Sequence, residues 1–343
     1  MKKVRVLVVD DSFVIRNILK QSLEQDSDIE VAGLACDAFE ARDMIIKLRP
    51  DVMTLDIEMP RMNGIDFLKK LMPQYPMPVI VVSSLDDRVF DALEAGAVDF
   101  IHKPGGLTRT QLIEHMKYEL NEKVKVAANV KITGRKRREP AAVISDGVTG
   151  RAEKEIIAIG ASTGGTEALY DIISKFNTDI PGVVAVQHMP PGFTGMYAER
   201  MNNQCQVSVK EARDGDRVKQ GQVLIAPGDK HMRLVKTDDG YHVVCKFGEK
   251  VSGHCPSVNV LFNSVAEVAK DKAVGVILTG MGSDGAAGLM EMHRRGAVTI
   301  GQDEVSSIVY GMPKAAYEIG AVTYQVGLSQ MAGKIYSVIN NKR

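Results

Sequence analysis

At 343 residues the chain is too long for one ordinary hydrophobic core, so two domains are expected. Hydrophobic residues make up 45%, which excludes a mainly disordered chain. Lys+Arg and Asp+Glu number 43 each, so no global field recruits nucleic acid or an anionic membrane, and any charge argument is local.

The start, "MKKVRVLVVDD", has an apolar run that is short and ends in acids, without the h-region and cleavage site of a signal peptide. No apolar run approaches the roughly 18 residues that span a bilayer. Cys36, Cys205, Cys245 and Cys255 form no CxxC pair and read as reduced, packed thiols of a cytoplasmic protein.

Residues 1 to about 122 alternate short β-branched runs with helical stretches. The runs are "VRVLVV", "IEVAGLA", "DVMTL", "PVIVVSS" and "DFIHKP", each bounded by turn signals, as expected of strands buried on both faces of a parallel sheet. Between them, segments such as "SFVIRNILKQSLEQ" carry apolar residues at helical spacing. The pattern predicts an α/β, doubly wound sheet with functional groups at the strand C-terminal ends.

Those ends carry Asp10 and Asp11 after the first strand, Asp56 after the third, Ser83 at the fourth and Lys103 at the fifth. Carboxylates gathered at one edge repel unless a cation intervenes, and all-oxygen ligation with room for water suits Mg²⁺ better than zinc. A hydroxyl and an ammonium beside them suit phosphoryl oxygens. Capping of the first helix accounts for one aspartate at most.

With "VLVVDDS", "DVMTLDIEMPRMNG" and "DFIHKP" on the page, residues 1 to about 122 resemble a response-regulator receiver domain. The resemblance implies Asp56 as phospho-acceptor, Asp10 and Asp11 as metal ligands with Asp56, and the backbone carbonyl of Glu58 completing the Mg²⁺ site. It also implies Ser83 as the switch hydroxyl, Lys103 as the phosphate-binding lysine, and a phosphohistidine kinase as donor.

Residues 123–154 lose apolar periodicity and read as a flexible linker. Its cluster "GRKRRE" is read as an exposed connection rather than a nucleic-acid patch.

From residue 155 to 343 strand and helix signals resume with "EIIAIG", "GVVAVQH", "VLIAPG", "AVGVILTG" and "AVTIGQ". "MRLVKTDDGYHVVCKFG" adds alternating apolar residues around Asp-Asp-Gly, an antiparallel hairpin signal. A second doubly wound parallel sheet with a hairpin insertion is expected.

Three stretches of this domain carry chemistry. Gly160-Ala161-Ser162-Thr163-Gly164 matches G-x-S-x-G between strand and helix, where a strained turn projects a serine outward. Alone, it reads equally as a helix-capping or phosphate-cradling turn. His188 ends the next strand in "VVAVQHMPPGF" as a candidate base, while His231 and His254 lie in loop-like stretches and are weaker candidates near the substrate. Asp284 lies in the Gly-rich turn of "AVGVILTGMGSDGAAGLM" and is a candidate orienting acid.

That turn has a rival reading. Residues 280–285 are a literal G-x-G-x-x-G, and Asp303 and Glu304 follow at about the distance of a ribose-binding acid. Too little chain remains for a dinucleotide fold to open there, and the serine turn and His188 would stay unexplained. A response regulator whose second domain only binds a partner is the other alternative; no helix-turn-helix signal supports DNA binding. The order Ser, His, Asp also departs from the Ser, acid, His of α/β-hydrolases, but a triad is defined by geometry rather than order.

"IGASTGGTEAL", "QHMPPGFT", "IAPGDKHM", "PSVNVLF", "GVILTGMGSDGAAG" and "GMPKAA", joined to a receiver, resemble the chemotaxis protein-glutamate methylesterase family over nearly the full chain. The resemblance implies Ser162 as nucleophile, His188 as general base, Asp284 as orienting acid, and an oxyanion hole that includes the N–H groups of Thr163 and Met281. It implies demethylation of glutamate γ-methyl esters on chemoreceptors with release of methanol, glutamine deamidation as a second activity, and no cofactor for ester hydrolysis. The receiver is expected to cover the Ser162 site until Asp56 is phosphorylated. Two positions depart from the family pattern: Cys255 in "GHCPS" stands where arginine is usual, and "LDDRVFDALEAG" after Ser84 is a few residues short.

Overall fold

The computed structural model describes residues 2–84, 87–130, 148 and 154–340. The cluster "GRKRRE", most of the predicted linker, and Leu85 and Asp86 of the short segment after Ser84 lie outside the described residues. The chain divides into two compact units, Met1–Arg137 and Arg138–Arg343.

In the first unit the β-branched runs form the strands they predict: β1 (Val4–Val9), β2 (Ile29–Ala35), β3 (Val52–Leu55), β4 (Val79–Ser83) and β5 (Asp99–His102). All pair in parallel, in the order β2-β1-β3-β4-β5. Helices α1 (Phe13–Leu23), α2 (Ala38–Leu48), α3 (Gly64–Leu71), α4 (Arg88–Glu94) and α5 (Arg109–Ala127) connect and follow them. Branched strand residues such as Val6, Val8, Val52 and Ile80 pack on Ile18, Leu19 and Leu23 of α1 and on Met116, Leu120 and Val124 of α5. The last of these contacts corrects the predicted boundary. The helix α5 continues past Glu122 to Ala127, because Val124 and Ala127 still belong to this core and Lys123 Nζ bonds the carbonyl of Phe100 (2.5 Å).

The second unit opens with β6 (Ile156–Ala161), α6 (Gly165–Ile173), β7 (Gly182–Gln187) and α7 (Phe193–Gln204). It continues through β8 (Ser208–Glu211), β9 (Gln222–Ile225), the hairpin β10 (Lys230–Thr237) and β11 (Gly240–Phe247), and α8 (Val258–Val268). Then come β12 (Ala273–Ile277), α9 (Ala286–Arg294), β13 (Val298–Gln302), α10 (Met312–Glu318), β14 (Tyr324–Val326) and α11 (Leu328–Ile339). Seven strands form a parallel sheet in the order β14-β13-β12-β6-β7-β9-β8, and β10-β11 pair antiparallel apart from it.

Two of the sheet's strands, β8 and β14, carry no expectation from sequence. They are four and three residues long at the two edges, too short for an alternation signal. The hairpin buries Met232, Leu234, Tyr241, Val243 and Cys245 against Leu261, Val265 and Ala266 of α8, so it is anchored in the domain core. Among the described residues no helix is long and apolar enough to cross a membrane.

Candidate active site and phosphorylation site

Strand β6 lies between β7 and β12 in the sheet, and all three run in parallel. Ala161 pairs with Gln187, so the next residues, Ser162 and His188, leave neighbouring strands side by side at the C-terminal edge. Crevices at such an edge are where open α/β sheets place their ligands.

The serine turn is held from several sides. Gly164 has φ 75°, a left-handed conformation that lets the chain reverse from β6 into α6, and a Cβ there would lie 2.7 Å from Ile308 Cβ. The Ser162 carbonyl accepts from Gly165 N–H (2.6 Å) and from Gln187 Nε2 (2.9 Å). Ser162 N–H donates to the Thr279 carbonyl (3.0 Å), and Thr279 Oγ1 donates to the Thr163 carbonyl (2.9 Å). Ser162 itself is half-buried, and the N-cap of α6 is Gly164 rather than this serine. The capping alternative for this serine therefore has no support.

His188 Nε2 lies 2.9 Å from Asp284 Oδ2. Asp284 is 2% exposed and sits at the N-terminus of α8, where it accepts from Ser257 Oγ (2.8 Å), Val258 N–H (2.7 Å) and Asn259 N–H (3.0 Å). Burial alone would raise its pKa; the His188 bond and the two backbone donors outweigh burial and hold the carboxyl below the usual carboxylate range. An ionised Asp284 therefore takes its proton donor from Nε2, and the other ring nitrogen, Nδ1, is buried without a hydrogen-bond partner among the described residues.

The face of the His188 ring is covered by His254, with ring centroids 3.7 Å apart and planes 12° apart. His254 is thus placed at the site. His231 is buried with both nitrogens bonded to backbone, so it faces protein rather than substrate. The rival ribose-binding role for Asp303 also fails to find a free acid: its carboxylate accepts from Ser306 N–H (2.9 Å) and Ser306 Oγ (2.6 Å).

Sequence reasoning missed Ser257, Gln187 and Thr279. The signal for Gln187 was legible, since an amide ending the buried run "GVVAVQ" needs partners. Nothing local marks Ser257 as a partner of an aspartate in a distant turn.

In the first unit, carboxylate oxygens of Asp10, Asp11 and Asp56 lie within 4.8 Å of one another. Lys103 Nζ bonds Asp10 Oδ2 (2.6 Å) and Asp56 Oδ2 (2.8 Å), and Ser83 is buried at the end of β4. Neither Asp10 nor Asp11 caps α1: the cap is Ser12, and Asp10 Oδ1 instead accepts from Ser12 N–H (2.9 Å). Asp10 has its pKa raised, first by burial and further by the Asp56 charge, against the lowering pull of Lys103. Three hard oxygen donors with crowded negative charge fit a divalent cation. Glu58 N–H points at Asp56 Oδ1 (3.4 Å), while its side chain is drawn away to Arg88 (2.5 Å).

The chain is similar to known proteins over both units. Residues 157–335 match the CheB methylesterase family and residues 6–117 the response regulator receiver domain. A protein from Syntrophomonas wolfei subsp. wolfei, named protein-glutamate methylesterase/protein-glutamine glutaminase 2, is 54% identical over 340 residues, covering 99% of each chain. Its namesake from Salmonella typhimurium is 47% identical over 344 residues, covering 99% of this chain and 98% of that one. Among solved structures, the Thermotoga maritima CheB methylesterase catalytic domain aligns with a TM-score of 0.53 at 36% identity, covering 54% of this chain and 99% of that one. With a receiver ahead of the serine-turn unit and full-length relatives on both sides of that join, the chain belongs to the CheB methylesterase family.

Proposed function

We propose that this protein is a phosphorylation-activated esterase that removes methyl groups from glutamate γ-methyl esters on chemoreceptors, and that it deamidates receptor glutamines at the same site. The observation that carries the reading is the Asp284–His188 pair at the sheet edge beside Ser162, in a chain of this family. A dinucleotide-binding or non-catalytic second domain would not require that pair.

Ser162 Oγ attacks the ester carbonyl as His188 takes its proton. The same imidazole then protonates departing methanol, and Asp284 stabilises its cation. Because Asp284 occupies Nε2, the nitrogen that exchanges protons with Ser162 is Nδ1. Water, deprotonated by His188, releases the acyl group as free glutamate and restores the serine. An amide enters the same path and releases ammonia. The N–H groups of Thr163 and Met281, on the two turns joined through Thr279, receive the oxyanion.

Asp56 is the phospho-acceptor, with a phosphohistidine kinase as donor. Asp10, Asp11 and Asp56, with the Glu58 carbonyl, would hold Mg²⁺, which supplies charge neutralisation for phosphoryl transfer. Lys103 and Ser83 receive the phosphoryl oxygens. In this reading the receiver restrains the esterase until it is phosphorylated, and the protein works in the cytoplasm.

The test is methanol release from methylated receptor membranes by the phosphorylated wild type and by Ser162→Ala. Loss of release in the variant is expected; equal release, or none from either, overturns the reading. A fragment starting at Glu153 should exceed the unphosphorylated whole in turnover, and parity would overturn the restraint.

A further inference from the structure

The loop joining β11 to α8, residues 248–257, touches the catalytic pair twice. His254 lies on the ring of His188, and Ser257 donates to Asp284. A surface loop is a poor platform for such contacts unless something fixes it. Within the loop, Val251 and His254 exchange backbone bonds (3.0 Å each), and Asn259 Nδ2 of α8 donates to Ser252 Oγ near its tip (3.1 Å).

The tie at the two ends of the loop comes from His231 on β10. Its Nε2 lies 2.8 Å from the Glu249 carbonyl, and the Ser257 N–H donates to its Nδ1 (3.2 Å). A carbonyl can only accept and an N–H can only donate, so the imidazole is neutral with its proton on Nε2. The loop also closes onto the ring itself: a Cβ on Gly248 would lie 2.9 Å from His231 Cδ2. His231 is 6% exposed, and its strand is anchored by Met232 and Leu234 in the core and by Ser264 Oγ, which accepts from Leu234 N–H (2.9 Å). The histidine therefore stands on a core-anchored strand and bonds both ends of the loop.

We propose that His231 is a positioning residue of the Ser162 hydrolase, holding the 249–257 loop so that His254 covers His188 and Ser257 braces Asp284. The proposal rests on the esterase reading for its reaction, not for its geometry. His231 touches neither substrate nor reacting atoms. Its effect runs through Ser257 to Asp284 and thence to the orientation of the His188 ring.

The experiment uses full-length protein, phosphorylated with a small-molecule phosphoryl donor, and steady-state methanol release from methylated receptor membranes. His231→Ala should lower kcat about tenfold to a hundredfold, the range of a misplaced catalytic group, with KM within about twofold. His231→Asn offers an oxygen where Nδ1 stood, keeps the Ser257 bond, and should recover most of kcat. His231→Gln reaches the Glu249 carbonyl but not Ser257, and should not. A merely structural histidine would lower the folded fraction but leave kcat per folded molecule intact, with Asn and Gln alike. Unchanged kcat in the alanine variant, or Asn no better than Gln, overturns the proposal.

A second readout is independent of turnover. The low-field proton NMR line of the His188–Asp284 bond should shift or broaden in His231→Ala, or in His231→Gln where the alanine variant does not fold. An unmoved line overturns the proposal. Ser162→Ala releasing methanol like wild type would instead overturn the esterase reading, and the NMR line would still decide the role of His231.

Discussion

Asp284 engages His188 through Nε2 at 2.9 Å, and the remaining ring nitrogen, Nδ1, is buried with no hydrogen-bond partner among the described residues. A buried polar atom without a partner costs free energy unless a ligand or a reacting group completes it. Ser162 leaves the neighbouring strand end, and in the proposed reaction it is the group whose proton that nitrogen takes. The pair also explains why one aspartate needs so many donors. An ionised carboxylate 2% exposed survives only when its lone pairs are occupied, and Ser257, Val258, Asn259 and His188 occupy them.

Asp284→Asn should therefore impair catalysis more than substrate binding. An amide that donates to Nε2 forces the ring proton onto Nδ1, which then cannot accept from Ser162. In the Ser-His-Asp template the equivalent change costs about 10⁴ in kcat, and a loss of at least about 10² with little change in KM is expected here. Steady-state methanol release from receptor membranes checks it.

Acid should destabilise the second unit through the same residue. The folded carboxyl lies below its ordinary value of 3.8, so its stabilising contribution is complete above that value and is lost as pH falls through the folded one. Urea unfolding of the wild type should show stability dropping below about pH 4, and Asp284→Asn should flatten that part of the curve. An identical acid limb in both proteins would contradict the assignment.

Asp10 carries the opposite sign. Its pKa is raised by burial and by Asp56, so the fold favours the protonated form, and stability is lost as pH rises through the folded value. Asp10→Asn should raise the receiver's unfolding midpoint at neutral pH while abolishing most phosphoryl uptake at Asp56. Thermal melts, and mass spectrometry of Asp56 after borohydride trapping of its acyl phosphate, measure the two effects. A stability gain coupled to lost function is what a repulsive site tuned for a cation predicts.

Gly164→Ala tests the serine turn. Alanine at φ 75° is strained, and its Cβ would meet Ile308 Cβ at 2.7 Å. A cost of about 1–3 kcal/mol is expected from backbone strain and overpacking, together with a lower kcat as Ser162 shifts. Denaturant melts beside the esterase assay separate the two.

The cysteines should react in order of exposure. Cys36 is exposed, whereas burial pushes the thiols of Cys205 and Cys245 up to about 11 and about 12. With a disulfide reagent at pH 8, mass spectrometry should find Cys36 modified first and Cys245 last.

By itself the sequence determined the two parallel sheets, because largely buried strands such as "VRVLVV" and "GVVAVQ" read as short runs rich in β-branched residues whose ends bring Asp10, Asp56, Ser162 and His188 to one edge or the other. The receiver motifs and the serine turn were likewise local patterns. The edge strands β8 and β14 were not legible, since strands so short carry no periodic signal. Nor was the length of α5, whose final turn is held by the tertiary contacts of Val124 and Ala127 rather than by propensity.

Only the tertiary structure decided which ring nitrogen of His188 meets Asp284, that the N-terminus of α8 holds that aspartate ionised, and that His254 stacks on His188 from a loop whose ends bond His231 of the hairpin. The reason is physical. Periodicity records which face of an element is buried, but a hydrogen bond between residues 96 apart in sequence is fixed by side-chain geometry that no local pattern encodes.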